Sequence, residues 1–428
     1  MARRPAVFCR ALGPGALALS LAASARADTR QCQGPAPSAS LDKALPAEPD
    51  VLAGPGFALV LGAEAMGAAA CAPTDVAGAV LTQAVLDAEA ALGVDAALAI
   101  VLSSAPLSCG NLYYVPLAND ARGIGYSHHD AREVFDDTPE HRLEGLAFLN
   151  DWPYWQAHPD ELPGAVLHEV GHRWGARVHA RVEGQLSAAL LGRGQEHWSY
   201  FFSSGGSPLE GNVWTEAASG YVSDTPVYAS QFTSLDLYLM GMAPAAEVSE
   251  SRLLLASPGA GADCSGRPPS ASSPPQTCGS TSLEATSTLV SIEDIIAAEG
   301  PRSPAPAVEP RSLDILPVVL HTARETWSAA QCEALAQGLR EALAGFAAAT
   351  RGRLRLESAL GEGMSCTELS RASATARAEA DAVAAAPAAP TCSLRQGGSP
   401  AIAGWGGWAL LALGALRRRL GRSRRRAR

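Results

Sequence analysis

Positive charge is scarce over most of this chain. Of its 33 lysine and arginine residues, four lie in residues 1–27 and eight in residues 417–428, which leaves 21 against 43 acids and a body of net charge −22. A surface so acidic repels phosphate backbones, which excludes a nucleic-acid partner. Long apolar runs are lacking as well. The C-terminal run Ala401 to Leu416 has 16 residues, against about 20 for a spanning helix. No internal repeat is present, and the eight tryptophans form no stacking series. At 428 residues, core size is not limiting: one large domain or two modest ones fit.

The two ends carry their own patterns. Arg3 and Arg4, a small apolar run from Ala11 to Ala23, and Ala25-Arg26-Ala27 read in that order as an export signal with its cleavage site. At the other end Cys392 is followed by the short apolar run and an arginine cluster from Arg417 to Arg428. The positive-inside rule keeps that cluster cytoplasmic, and a plain tail anchor is the simpler alternative. The order resembles the C-terminal sorting signals of myxobacterial surface proteins. That resemblance implies export and sorting machinery as partners, membrane contact through the C-terminal segment before processing, and a cell-surface or extracellular location.

The nine cysteines suit an oxidising compartment. Cys264 and Cys278 bracket a Pro/Ser loop and are the first disulfide pair expected; Cys32 is a remote candidate for masking a metal through its thiolate. Periodicity predicts strands at Phe57 to Gly62, Ala96 to Leu102, Asn111 to Leu117 and Leu143 to Leu149. It predicts a helix from Asp75 to Leu92 behind Thr74, and one from about Pro163 to Ala176, with Pro163 in its first turn. Phe232 to Met242 reads as a helix or turn. Further on, a strand is expected at Ser287 to Ile292, a helix at Ala329 to Ala349, and a closing strand at Arg353 to Glu357.

The chemistry concentrates in Leu167-His168-Glu169-Val170-Gly171-His172. On a helix, residues four apart share a face, so His168 and His172 can grip one cation. Imidazole nitrogen suits Zn²⁺, and Glu169 beside the first ligand is placed as a general base for water. Other polar clusters are weaker. His128-His129-Asp130 reads as loop surface before it reads as a second metal cluster. Asp136, Asp137 and Glu140 lack the oxygen spacing of a Ca²⁺ loop.

With HEVGH, the sequence resembles the zincin metallopeptidases over roughly residues 55–245. The resemblance implies an α+β fold with a mixed sheet, an active-site helix and a smaller C-terminal subdomain. It makes His168 and His172 zinc ligands and Glu169 the catalytic base. Leu143 to Leu149 becomes the edge strand that aligns a protein or peptide substrate. A third ligand is needed, and the choice stays open. Asp236 is one candidate, on a second helix as in gluzincins and aspzincins. His179 is the other, one residue late for the metzincin pattern that Gly175 otherwise fits. His197, beside Trp198, and Glu216 follow. Tyr238 is either an oxyanion donor or packed core, and Tyr238 to Met242 could instead form a metzincin-like floor under the metal.

The organisation expected is therefore a signal peptide (1–27), a loose segment (28–55), a zincin-like catalytic domain (56–256) and a Ser/Pro/Gly-rich linker (257–282). A C-terminal subdomain (283–366), an Ala-rich linker (367–391) and the sorting signal (392–428) complete it. The function expected is zinc-dependent peptide hydrolysis. The alternatives are a zincin-like surface-binding protein without activity, and a zinc amidase acting on a cell-envelope polymer.

Overall fold

Seven strands, most of them rich in buried apolar residues, build the central sheet. It is seen in a computed structural model that describes residues 50–63, 74–105, 112–132, 141–223, 230–256, 261–263, 265–275, 280–307, 309–321, 326–361 and 363–385. The described residues begin with strands β1 (Val51–Ala53) and β2 (Ala58–Val60) and helix α1 (Thr74–Leu92). Strands β3 (Leu98–Ser103), β4 (Tyr113–Pro116) and β5 (Gly145–Asp151) follow, then helices α2 (Trp152–Ala157) and α3 (Leu162–Gly171). A second region holds β6 (Trp198–Ser203), β7 (Glu210–Asn212), α4 (Ser234–Leu239), β8 (Ser251–Ala256), β9 (Ala285–Val290) and α5 (Ile292–Glu299). The chain then returns with β10 (Arg311–Leu320), α6 (Ala329–Ala349), β11 (Leu354–Ser358) and α7 (Cys366–Ala385). The fold is α+β.

The main sheet runs β1-β2-β10-β3-β5-β4, with β11 also paired to β10. β2, β10, β3, β5 and β11 are parallel, whereas β1 and β4 are antiparallel to their neighbours. Side chains alternate between its faces with the period of a strand. Leu98, Ile100 and Leu102 of β3 point into one core, and Ala99 and Val101 into the other. Ala147 and Leu149 of β5 follow the first pattern, Leu146 and Phe148 the second. Val80, Leu81, Ala84, Val85 and Ala88 of α1 cover one face. α3 and α6 cover the other, α6 through Cys332, Leu335, Ala336, Leu339, Ala342 and Phe346 at helical spacing. A parallel sheet needs both faces covered, and this one has them.

Several expectations are corrected. Leu143 to Leu149 is not an edge: β5 lies between β3 and β4, and β4 is the terminal strand among the described residues. Residues 283–366 do not form a subdomain of their own, because β10 is inserted between β2 and β3 and belongs to the same compact unit as residues 58–103. The stretch after 366 begins as a helix rather than a linker. Ser365 and Glu368 cap it reciprocally, Leu369 is buried, and a disulfide joins Cys366 to Cys332 of α6. Residues 281–282 of the expected loop, with Leu283, pair with strand Gly220–Ser223. The Cys264–Cys278 pair, the Asp136-Asp137-Glu140 cluster and both terminal signals lie outside the described residues. Among the described residues no helix is long and apolar enough to cross a membrane.

Candidate metal centre

α3 is built for one face. Ala165, Val166, Leu167 and Val170 are buried against the sheet and α6, and Pro163 occupies the first turn, where no N–H is required. The helix is shorter than expected, ending at Gly171 with His172 as its C-cap. The His172 amide still lies 3.3 Å from the His168 carbonyl, so the two rings remain one turn apart. The chain then leaves the helix axis through Ala176, at φ +57°, and returns in the tight turn Gly192 to His197.

His197 closes the site. His168, His172 and His197 form the group of metal-ligating side chains found among the described residues. Their Nε2 atoms converge, at 3.1 Å between His168 and His197 and 3.2 Å between His168 and His172. Three nitrogens bound tetrahedrally at 2.0–2.1 Å to zinc stand about 3.3–3.4 Å apart, so the donor set fits the ion. The tautomers make the same point. His168 Nδ1 donates to the Pro208 carbonyl at 2.8 Å, and His197 Nδ1 donates to the Arg193 carbonyl at 2.8 Å. A neutral imidazole that donates from Nδ1 has a lone pair at Nε2. Two such lone pairs 3.1 Å apart repel; Arg193 Nη2 lies 3.0 Å from the one on His197, and a cation between the rings would engage both.

A proton is a poor choice for that cation. Burial holds His168 down to about 4; the neighbouring His197 adds to this. Burial and the Arg193 charge hold His197 down to about 3, and burial with the other two rings depresses His172 strongly. At neutral pH all three are unprotonated ligands, and a metal entering has no proton to displace.

Glu169 is 6 % exposed, and its Oε2 has no hydrogen-bond partner in the structure. Burial and the nearby carboxylate of Glu196 push its carboxyl up to about 8. A divalent cation at the histidines would draw it back toward the ionised form. At the rim, Arg193 Nη2 donates to the Glu210 carboxylate and lies 3.0 Å from His197 Nε2. Glu210 Oε1 is 3.7 Å from the same nitrogen, and Glu210 is held at φ +74°, a left-handed conformation that costs a non-glycine residue about 1 kcal/mol or more.

Two glycines bring the Pro208 carbonyl to His168. Leu209, 1 % exposed, packs into the notch that Gly171 and Gly175 leave on α3 and the turn after it. A Cβ at Gly175 would stand 2.0 Å from Leu209 Cδ1. Gly175→Ala is therefore expected to cost about 1–3 kcal/mol and to weaken metal binding roughly tenfold or more by shifting the carbonyl that orients His168. Thermal melts and zinc titration test this. A variant with wild-type melting and affinity would mean that Leu209 yields freely.

The other candidate ligands are employed elsewhere. Asp236 closes the capping box of α4 with Thr233 and accepts from Trp198 Nε1 at 3.0 Å. It braces the residue next to His197 instead of joining the cluster. His179 turns away, its Nδ1 2.8 Å from Glu299 of α5. Tyr238 is buried, and its hydroxyl accepts the Arg302 amide at 3.0 Å. Met240 and Met242 sit in the main core with Val170 and Trp174. Glu216 is an exposed strand residue, and His129 packs edge-on against Tyr126. The sequence did carry a signal for His197: after His172 it holds only His179, His197 and His321. His321 lies at the end of β10 against Ser104. Compared with known proteins, the chain matches no family model, no curated protein and no solved structure.

Proposed function

We propose that this protein is a zinc-dependent hydrolase of peptide bonds, with His168, His172 and His197 holding the metal and Glu169 as general base. The observation that carries the reading is the set of convergent Nε2 lone pairs, two of them fixed by Nδ1–H bonds to backbone carbonyls. Zinc, when bound, supplies the Lewis acidity that polarises a carbonyl and acidifies water. The protein's own contribution is placement. Glu169 follows the first ligand directly, is shielded from bulk solvent, and keeps an oxygen without a partner to take a proton from water and return it to the departing amine. β4 supports an extended substrate: it is the terminal strand, and Leu112 and Tyr114 pack against the same core as α3. Export and surface attachment remain part of the proposal and rest on the two terminal patterns of the sequence.

Metal analysis of the purified protein, followed by assays on casein and on peptidoglycan, tests the reading. One zinc per chain is expected, with casein cleavage that stops on chelation and returns with added zinc. Zinc without cleavage of either polymer would favour a binding protein, and cleavage of peptidoglycan alone an amidase. A protein that takes up no zinc would end the proposal.

A further inference from the structure

Hydrolysis of an amide puts negative charge on the carbonyl oxygen, and the site must answer it with a donor. Tyr238 is not placed for it: its ring is buried among Leu235, Leu239 and Ile295, with its hydroxyl against the Arg302 amide. Arg177 is not either: it donates to the His172 carbonyl at 2.6 Å and to Glu196 at 3.1 Å, and lies over the Tyr126 ring. Arg193 is placed differently. Its backbone carbonyl fixes the His197 tautomer, while its guanidinium stands 3.0 Å from His197 Nε2, on the side of the ring where a metal binds. Its charge is felt by all three histidines and by Glu169. Glu210, tethered in its left-handed conformation, holds the guanidinium at this spot. A metal at the histidines takes the His197 lone pair and leaves that N–H group of Arg193 directed at whatever shares the metal's open side.

We propose that Arg193 is a further catalytic residue, whose guanidinium donates to the substrate's carbonyl oxygen as it becomes negative; this rests on the hydrolase reading above. The water oxygen bonds to the carbonyl carbon while its proton passes to Glu169, and the carbonyl π pair moves onto oxygen. Arg193 hydrogen-bonds that oxygen and keeps its own proton. The adduct then collapses: the C–N bond breaks, Glu169 returns the proton to nitrogen, and acid and amine leave. Arg193 can turn between Glu210 and the substrate because its side chain is 57 % exposed whereas that of Glu210 is 11 % exposed.

Arg193→Gln and Arg193→Lys in the zinc-loaded protein test this with two readouts. On a fluorogenic peptide, kcat should fall about 10²–10³-fold in the glutamine variant with KM little changed, and recover in part with lysine. The binding of acetohydroxamate, an anionic oxygen ligand for the metal, should weaken about tenfold in the glutamine variant, the worth of one hydrogen bond to a charged group. Zinc content should stay at the wild-type value. Unchanged hydroxamate affinity, kcat within threefold of wild type, or parallel loss of zinc would overturn the proposal. If the wild type cleaves no peptide yet Arg193→Gln still weakens hydroxamate binding, the peptidase reading fails and the anion-facing role of Arg193 stands.

Discussion

Replacing His197 with alanine is expected to abolish stoichiometric zinc binding while leaving the protein folded. The ring is buried and contributes one of three converging nitrogens. Two imidazoles from a single helix turn cannot enclose an ion that needs three protein ligands. The loss should exceed the roughly 10–100-fold that removing an outer partner of a ligand costs. Competition with a chromophoric chelator reads the affinity, and circular dichroism checks the fold. The same measurement on Asp236→Asn and His179→Ala separates the possible third ligands. His179→Ala should bind zinc as the wild type does, because that ring is paired with Glu299. Asp236→Asn should show a stability loss first, since its carboxylate caps α4 and receives the Trp198 indole. Wild-type zinc affinity in His197→Ala would refute the assignment.

The second large effect concerns Glu169. Glu169→Gln keeps the shape of the side chain and removes its capacity to take a proton. Turnover should fall about 10²–10⁴-fold or further, the range for loss of a general base, while zinc content stays near one per chain. The substitution should not destabilise the protein. Burial pushes the carboxyl up to about 8 in the metal-free protein, so its ionised form is costly there, and the neutral amide escapes that cost. Steady-state kinetics, metal analysis and a thermal melt together distinguish the outcomes. A variant that loses zinc along with activity would make Glu169 part of the metal scaffold, and one that keeps turnover would remove it from the chemistry.

What was legible in the sequence was local. The juxtaposition of His168 and His172 with the neighbouring Glu169 follows from helical spacing within five residues. The buried strands β2, β3 and β5 and helices α1 and α6 follow from apolar periodicity. The third ligand was not legible in this way. His197 reaches the site because Leu209 seats against Gly171 and Gly175 and a tight turn folds back from Gly192, and neither contact has a sequence period. Asp236, a candidate ligand by its place on a second helix, carried a local cue to another role: Thr233 three residues before it completes a capping box, the pattern of a helix start. The same cue, Ser365 with Glu368, marks the start of α7, where alanine content alone suggested a linker. The boundary expected near residue 256 failed for a different reason. β10 finds its neighbours at residues 58–60 and 98–103, more than 200 positions back, and no window along the chain reports such a pairing.

That late strand has a consequence for when the histidine cluster can form. A nascent polypeptide halted between His197 and Arg311 carries every proposed ligand, yet it has a gap in the middle of its sheet where β10 belongs. α6, which packs beside α3 on the same face of the sheet, is also absent until its own stretch of chain has been made. Ligand geometry therefore becomes fixed only when the final third of the polypeptide arrives. If the proposed hydrolase reading holds, an activity assembled in that order would stay silent during synthesis.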